Sequence, residues 1–368
     1  MAKLIGTDPN QVPTNADLGT MAYQDYDVVG PYLKGGRRNL IINGAMQVAQ
    51  RGTSATSSDD SGYLAVDRFV YDTRVNGASS GDFTIEQVTD APTGFQYSYK
   101  ITNVDNTTVS SSGGVEFMQF IEGYDAAHLG WGTADAKGVT FSFWVKASYT
   151  GTQSVYFPST NYGIVWLDSF TINSADTWEY KTFYIPGPTS GTWNTTTGRG
   201  IMARINLCNG STAGTEKTWN QSNPVVSGQT QTFGTTTSST FQITGVQLEL
   251  GKVATPFEHR SYGEELALCQ RYYEKIYLND AYRLNGVAWS TDSQNISLPF
   301  TVTKRVPPSI SVASIGQVFT GSWVTPTLAE VTGATINGGT LNIKRTGSYT
   351  VKYGYFIRYQ DFRIDAEL

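Results

Sequence analysis

The sequence feature that most constrains the fold is a nine-residue run of strict alternation, Val139–Ala147. One side of the run carries Val139, Phe141, Phe143, Val145 and Ala147, and the other carries Thr140, Ser142, Trp144 and Lys146. A period of two is typical of a β-strand with one face in the core. Similar runs recur at short spacing between Phe83 and Leu250, with turn-rich joints between them. The pattern predicts a mainly β domain, either an antiparallel sandwich or a jelly roll.

Composition and charge narrow the class of protein. Charged residues make up only 15% of the chain, which has 38 Gly and 22 Tyr, and this mix favours strands joined by tight turns. A length of 368 residues predicts two domains, or two domains and an arm. The net charge is -5 and no run of Lys or Arg exceeds two residues. A basic groove for nucleic acid and a polybasic patch for membranes are therefore both disfavoured.

The stretch from Asn39 to Phe69 precedes the alternating runs and is predicted to be the first hairpin of the β domain. Leu40–Ile42 is a short apolar run between Asn residues, which predicts a buried strand. Met46–Val48 then alternates with polar or small residues, which predicts a half-buried strand.

Four segments between residues 39 and 260 carry a resemblance to a known family. NLIINGAMQVAQRGTS (39–54) and YLAVDRF (63–69) resemble the opening of the carbohydrate-binding-module-like domain in tail fibre and related virion proteins of tailed bacteriophages. VTFSFWVKA (139–147) and ITGVQLELGKVATPFEHR (243–260) resemble its middle and closing strands. The resemblance implies a jelly roll over residues 39–258 whose last strand lies beside its first. We therefore expect Phe241–Leu250 to lie in a sheet near Asn39–Val48.

Residues 1–38 are predicted to form an extended N-terminal arm. Pro, Asn, Asp and Gly alternate there with isolated apolar residues, so the segment cannot bury enough surface to fold alone. It is either an arm that orders on a partner or a flexible tail. IGTDPNQVPTNADLGTMAYQD (5–25) is similar to leader segments of phage virion proteins, which implies docking on a tail component.

A connector helix is predicted within residues 259–276. Ser261 and Glu264 have the spacing of a capping box, and the helical pattern runs from Tyr262 to Ile276. The helix either packs on its own chain or lies at the axis of a trimer. Residues 277–368 return to strand patterns and predict a C-terminal β domain. ELALCQRYYEKI (265–276), LPFTVTKRVPPSISV (298–312) and the final DAEL resemble the C-terminal domain of phage tail fibres. The resemblance implies that this domain is a smaller β sandwich and that the protein is a homotrimer.

Candidate ligand residues are aromatic and amide side chains in loop-like sequence. Aromatic rings can contact the C–H face of a sugar, while amides can bond its hydroxyls. The candidates for glycan contact are Tyr156, Asn161, Tyr162, Trp166, Trp193 and Trp219. The alternative for each aromatic residue is a ring folded back onto the sandwich.

The sequence offers no motif for catalysis or for a cofactor. Its two histidines, His128 and His259, are far apart, and no metal-ligand spacing occurs. The oxygen-rich turns at Asp59-Asp60 and Asp105 are possible sites for a structural calcium ion. Cys208 and Cys269 are expected to be reduced and partly buried rather than disulfide-bonded. No signal peptide and no membrane-spanning helix is predicted.

These observations and the resemblance together predict a function. The chain is expected to be a non-catalytic tail fibre protein of the virion, made in the host cytoplasm, that recognises a host surface glycan during adsorption. A capsid-decorating or knob-like virion protein is the alternative, and a glycan depolymerase is a third possibility. Many copies on one particle would convert weak binding at single sites into avidity.

Overall fold

The computed structural model describes residues 37–58, 61–74, 82–104, 114–209, 214–221, 229, 232–314, 316–345, 349, 354–358 and 360–368. The predicted arm therefore lies outside the described residues except for Arg37 and Arg38. Both possible calcium turns, at Asp59-Asp60 and Asp105, lie outside them as well. Arg37 forms an ion pair of 2.6 Å with Asp125, and the Arg38 backbone N–H donates to Glu258 at 3.0 Å.

The protein is mainly β, which confirms the predicted fold class. The strands up to residue 250 are β1 (Ser54–Ser58), β2 (Val70–Arg74), β3 (Asp82–Val88), β4 (Ser98–Asn103), β5 (Gly114–Glu122), β6 (Val139–Ala147), β7 (Gly151–Pro158), β8 (Ile164–Ile172), β9 (Glu179–Ile185), β10 (Arg199–Asn209), β11 (Trp219–Gln221) and β12 (Thr240–Leu250). Short helices at Gly123–Ala126, Ala127–Leu129 and Thr232–Thr235 interrupt them.

These twelve strands form two antiparallel six-stranded sheets that pack face to face. The front sheet has the order β1-β3-β4-β12-β6-β9, and the back sheet has the order β11-β8-β7-β10-β5-β2. The alternation in β6 works as predicted, because Phe141 and Phe143 are buried in the core between the sheets. Phe141 meets Phe157 of the back sheet edge to face, with ring centroids 5.4 Å apart. Residues on the other side of β6 therefore lie on the outer face of the front sheet.

The predicted strands at Leu40–Ile42 and Met46–Val48 are wrong. This fully described segment is a series of bends and turns, with positive φ at Asn43 and Met46. Side-chain amides replace the strand ladder: the Ile42 N–H donates to Gln119 at 2.8 Å, and the Val48 N–H donates to Asn43 at 2.9 Å. Local side-chain bonds of this kind compete with sheet pairing, and Asn tolerates the left-handed conformation.

The expected neighbourhood of Asn39–Val48 and Phe241–Leu250 is confirmed. The Leu40 N–H donates to the Leu248 carbonyl at 2.8 Å, and the Val246 N–H donates to the Gly44 carbonyl at 3.0 Å. Asn39 adds a bond of 3.0 Å from its side chain to the Val246 carbonyl. The segment thus runs along β12 without becoming a strand.

The connector helix spans Tyr262–Gln270, and its predicted capping box between Ser261 and Glu264 is present. The prediction that the helix continues to Ile276 is wrong, because Tyr273–Tyr277 is strand β13. Tyr and Ile favour strands, and the edge of a neighbouring strand offers pairing to Tyr273–Tyr277. The helix packs on its own chain, since Cys269 and Leu266 contact Ile42 and Val48.

Beyond the connector helix, two further antiparallel sheets share one core, in agreement with the predicted smaller sandwich. Their strands are β13 (Tyr273–Tyr277), β14 (Leu284–Ala288), β15 (Ser293–Pro299), β16 (Ser309–Ser314), β17 (Gln317–Phe319), β18 (Trp323–Val324), β19 (Leu328–Thr332), β20 (Gly338–Lys344), β21 (Gly354–Arg358) and β22 (Asp361–Asp365). The sheet orders are β13-β22-β16 and β18-β17-β21-β14-β15-β20-β19.

Charged side chains join the two sandwiches. Arg68 is buried, forms an ion pair with Glu367 and lies 3.5 Å from the centre of the Tyr272 ring. Arg271 binds the buried Glu122 through two nitrogens, at 3.0 and 2.8 Å. Buried charges that are paired on both sides hold the elements carrying them in one arrangement.

Candidate functional site

The outer face of the front sheet carries aromatic side chains on neighbouring strands. On β6, Ser142 and Trp144 point away from the core, because Phe141 and Phe143 occupy it. Trp144 lies opposite Thr244 of β12 on one side and opposite Tyr180 of β9 on the other. The pairing of these three strands therefore determines how the rings are placed.

A cleft of about 560 Å³ opens on this face, and we call it the aromatic cleft. Its lining residues are Thr93, Gly94, Phe95, Ser142, Trp144, Tyr180, Gly245, Gln247, Ala254, Thr255, Pro256, Phe257 and His259. They come from β6, β9 and β12, from the loop before β4 and from the segment after β12. The volume lies within the range of about 300–1,000 Å³ that is typical of small-molecule sites.

Two groups of rings line the aromatic cleft. Trp144 and Tyr180 have centroids 5.3 Å apart, at an interplanar angle of 47°. Phe95, Phe257 and His259 form the second group, with centroid separations of 4.9 to 5.4 Å. Tyr180 is 43% exposed, so one ring of the first group is open to solvent.

Gly245 lies where the two groups of rings meet. The pairing of β12 with β6 shifts by one residue between Thr244 and Gln247, which is a β-bulge, and Gly245 there has a φ of +63°. A Cβ at this position would lie 2.7 Å from Phe95 and 3.1 Å from Trp144. The left-handed backbone conformation therefore favours glycine, and any side chain here would displace the rings that the bulge brings together.

Polar side chains at the base of the aromatic cleft are held in place by hydrogen bonds. Gln247 is 1% exposed; it donates to Glu249 at 2.8 Å and accepts from the Glu258 N–H at 2.9 Å. Thr255 donates through its N–H and hydroxyl to Glu249, at 2.8 and 2.6 Å. These bonds fix the segment after β12, which carries Phe257 and His259.

A second polar group lies along the same face of the sheet. Lys146 of β6 forms an ion pair with Asp90, and the Gln242 amide donates to Asp90 at 3.2 Å. Hydrogen bonding to Lys146 holds the pKa of Asp90 below its ordinary value. Burial raises the pKa of Tyr180, although a hydrogen bond with Ser142 opposes the shift. At neutral pH Asp90 is a carboxylate acceptor and Tyr180 is a neutral hydroxyl.

The six residues predicted from sequence lie elsewhere, on or beneath the back sheet. Trp166 and Tyr156 are only 1% and 4% exposed. Arg204 brings Tyr156 and Tyr162 together, since it donates to both hydroxyls at 2.8 Å. Asn161 is exposed and accepts from the Gly163 N–H at 3.1 Å.

Trp193 and Trp219 form an edge-to-face trio with Trp131. Their ring centroids lie 5.6 Å apart, and each is within 5.8 Å of Trp131. The indole of Trp193 donates to the Ser190 carbonyl at 3.0 Å, and that of Trp219 donates to the Pro186 carbonyl at 2.9 Å. Both rings are partly buried against the core. A ligand role for the six predicted residues stays a prediction.

The aromatic cleft was missed, although the sequence held part of the signal. Trp144 stands on the polar side of the alternating run, where a core ring is not expected. Phe257 and His259 directly follow the closing strand. No local pattern could place Phe95 and Tyr180 beside them, because these contacts depend on strand order and register.

In the described part of the chain, no group of three or more His, Cys, Asp or Glu side chains is arranged to hold a metal ion. Within the same residues, no helix has the length and apolar character needed to cross a membrane. Cys208 and Cys269 are both free, as predicted, and both are fully buried rather than partly buried.

No protein-family model matches the chain, and no curated protein matches it. Among solved structures, it is similar to the enzymatically active domain of tailspike protein 4 of bacteriophage CBA120, with 16% identity over 60% of this chain and a TM-score of 0.30. That match spans 22% of the tailspike chain.

Two smaller proteins match over nearly their whole length. A putative sugar binding protein from Bacteroides thetaiotaomicron has 15% identity and a TM-score of 0.32, over 58% of this chain and 100% of its own. A family 11 carbohydrate-binding module from Clostridium thermocellum has 13% identity and a TM-score of 0.28, over 56% of this chain and 98% of its own. At such low TM-scores these likenesses carry no conclusion about function.

Proposed function

We propose that this protein is a non-catalytic tail fibre protein of a bacteriophage virion and that it binds a host surface glycan in the aromatic cleft. The observation that carries the proposal is the set of rings that Trp144, Tyr180, Phe95 and Phe257 present around one open volume. An exposed cleft lined by rings and fixed polar groups is the usual form of a small-ligand site.

The chemistry of the aromatic cleft fits a sugar chain. The C–H face of a pyranose ring packs on an aromatic face, while its hydroxyls need hydrogen-bond partners in fixed positions. Tyr180 supplies both a ring and a hydroxyl. Asp90, Lys146 and Gln242, farther along the same face, supply acceptors and donors for the next sugar residue of a chain.

The resemblance of several segments to phage virion proteins supports the proposed place of this protein in a virion. Two of the segments that resemble phage virion proteins, 139–147 and 243–260, supply Ser142, Trp144, Gly245, Gln247 and Phe257 of the aromatic cleft. Residues 1–38 would attach the protein to a tail component, and three copies would bind together. Several identical sites on one particle raise avidity without any new contact.

A bacterial surface-glycan array tests the binding proposal. Wild-type protein is expected to bind one class of capsular or O-antigen polysaccharide, and Trp144→Ala to lose about tenfold or more in affinity, because burying a large apolar side chain is worth about 1.5–3 kcal/mol. Trp289→Ala is the matched control, since Trp289 is 59% exposed and lies in the C-terminal sandwich. Equal binding by wild type and Trp144→Ala would contradict the proposed site.

Two further measurements test the other parts of the proposal. Incubation of the protein with the polysaccharide that it binds is expected to release no new reducing ends; their release would show a depolymerase. Light scattering is expected to give the mass of a trimer. A monomer would refute self-trimerisation and favour a decorating subunit.

A further inference from the structure

A second cleft, which we call the junction cleft, lies where the two sandwiches meet. Its volume is about 350 Å³. Arg51, Tyr63 and Leu64 of the first sandwich form one wall. The outer face of the β13-β22-β16 sheet forms the other side. The junction cleft shares no lining residue with the aromatic cleft.

The strand register arranges the sheet side of the junction cleft in two rows. In one row, Lys275 of β13 lies opposite Arg363 of β22, which lies opposite Ser311 of β16. In the adjoining row, Tyr273, Asp365 and Ser309 are paired in the same way. Residues two apart on a strand share a face, so the two rows lie side by side.

The first row places two cations next to each other. Like charges that lie directly opposite on neighbouring strands destabilise a sheet. Lys275 is partly compensated by Asp361, at 3.5 Å. Arg363 is exposed, and no carboxylate of the described residues lies within salt-bridge distance of it. An anionic group bound between Lys275 and Arg363 would remove this repulsion.

The second row and the wall favour a sugar over a simple anion. Asp365 and Ser309 place oxygen acceptors beside the cations, and an acceptor carboxylate suits hydroxyl groups but repels a phosphate. Arg51 already has partners within the protein. Its guanidinium carbon lies 3.5 Å from the centre of the Tyr273 ring, and one of its nitrogens lies 3.5 Å from an Asp365 carboxylate oxygen. Tyr63 adds a ring next to Arg51, 5.3 Å from it.

We infer that the junction cleft binds a carboxylate-bearing sugar residue of an acidic glycan. Lys275 and Arg363 bind the carboxylate, while Asp365, Ser309 and Ser311 bond the hydroxyls. This inference goes beyond the aromatic cleft and does not need it, because the two clefts are lined by different residues. The protein would then bind a neutral stretch of glycan in the aromatic cleft and an acidic sugar residue in the junction cleft.

The test is ligand-observed NMR of the full chain with three acidic monosaccharides, glucuronate, galacturonate and N-acetylneuraminate. Glucose and galactose are the neutral counterparts, and inorganic phosphate is the anion control. At least one acidic sugar is expected to bind, and Arg363→Ala and Lys275→Ala each to weaken it about tenfold. Lys344→Ala is the matched control, since Lys344 is an exposed lysine of the same sandwich.

Each outcome decides the inference. The inference is supported if the two junction variants lose binding while Lys344→Ala and Trp144→Ala bind as wild type does. Because Trp144 lines only the aromatic cleft, this result would hold even if the aromatic cleft bound no glycan. The inference is overturned if none of the acidic sugars binds, or if the two junction variants bind them as tightly as wild type does. It is also overturned if neutral sugars bind Trp144→Ala as well as the acidic sugars do, or if phosphate competes as strongly as the sugar. Thermal melting of each variant checks that it is folded.

Discussion

Replacing Asn43 by Ala is expected to destabilise the first sandwich strongly. Asn43 is fully buried, and its side chain makes three hydrogen bonds to the backbone. Its amide donates to the carbonyls of Val48 at 2.8 Å and Asp67 at 3.0 Å, and its oxygen accepts from the Val48 N–H at 2.9 Å. Alanine leaves all three backbone groups buried without these partners.

The magnitude follows from the number of groups. The Val48 carbonyl still accepts from the Asp67 N–H at 3.0 Å, so two of the three groups are left without a partner. A buried polar group left without a partner costs about 1–3 kcal/mol, so two such groups with partial relaxation cost about 2–4 kcal/mol. Asn43 also has a φ of +62°, which Asn tolerates and Ala does not, and this adds about 1 kcal/mol. For a domain of this size, a loss of 3 kcal/mol lowers the melting temperature by at least roughly 6 °C.

The assay is thermal unfolding followed by tryptophan fluorescence. Asn279→Ala is the control, because the Asn279 side chain also bonds two backbone N–H groups at 2.8 Å, but in an exposed turn. It is expected to cost about 1 kcal/mol or less, since water can replace the lost partner. Equal shifts for the two variants would refute the reasoning that burial sets the cost.

Three further predictions concern stability and reactivity. Arg271→Ala is expected to cost about 3 kcal/mol in urea unfolding, because it leaves the buried Glu122 charge without its cation; a loss below about 1 kcal/mol would contradict this. Burial acts to raise the pKa of Glu179, but hydrogen bonds from Lys181 and the backbone lower it to about 2 from an ordinary value of 4.5. The stabilisation that the Glu179 carboxylate provides is therefore complete above pH 4.5 and fades as the pH falls towards 2. The difference in melting temperature between wild type and Glu179→Gln should shrink over that interval. A constant difference would disprove the lowered pKa of Glu179. Burial raises the pKa of Cys208 to about 12 and that of Cys269 well above its usual value. Neither thiol should therefore react with a disulfide reagent until urea unfolds the chain. A fast reaction in buffer would count against their burial.

The sequence was informative where local pattern and burial agree. Val139–Ala147 alternates because one side faces the core, so the strand could be predicted with its inward face. Leu40–Ile42 has the same apolar character but is not a strand, because Asn43 and Gln119 supply bonds that no local pattern reveals. Tyr273–Ile276 continues the helical spacing yet pairs with β22, which is about 90 residues away. Long-range pairing overrode local preference there.

The candidate site was less predictable than the fold. Trp193 and Trp219 lie in loop-like sequence, which left open either glycan contact or a ring folded back onto the sandwich. Both rings pack against each other and the core. The aromatic cleft needs Phe95, Trp144 and Tyr180 from three separate parts of the chain, joined by the bulge at Gly245. Such a set becomes visible only when strand order and register are known.

The most direct test of the central claim is the indole N–H NMR spectrum during titration with the oligosaccharide selected on the array. The resonance of Trp144, assigned with Trp144→Phe, is predicted to shift on binding, while those of the buried Trp166 and the distant Trp289 stay in place. Shifts at Trp193 or Trp219 with none at Trp144 would contradict binding in the aromatic cleft and would favour the residues predicted from sequence.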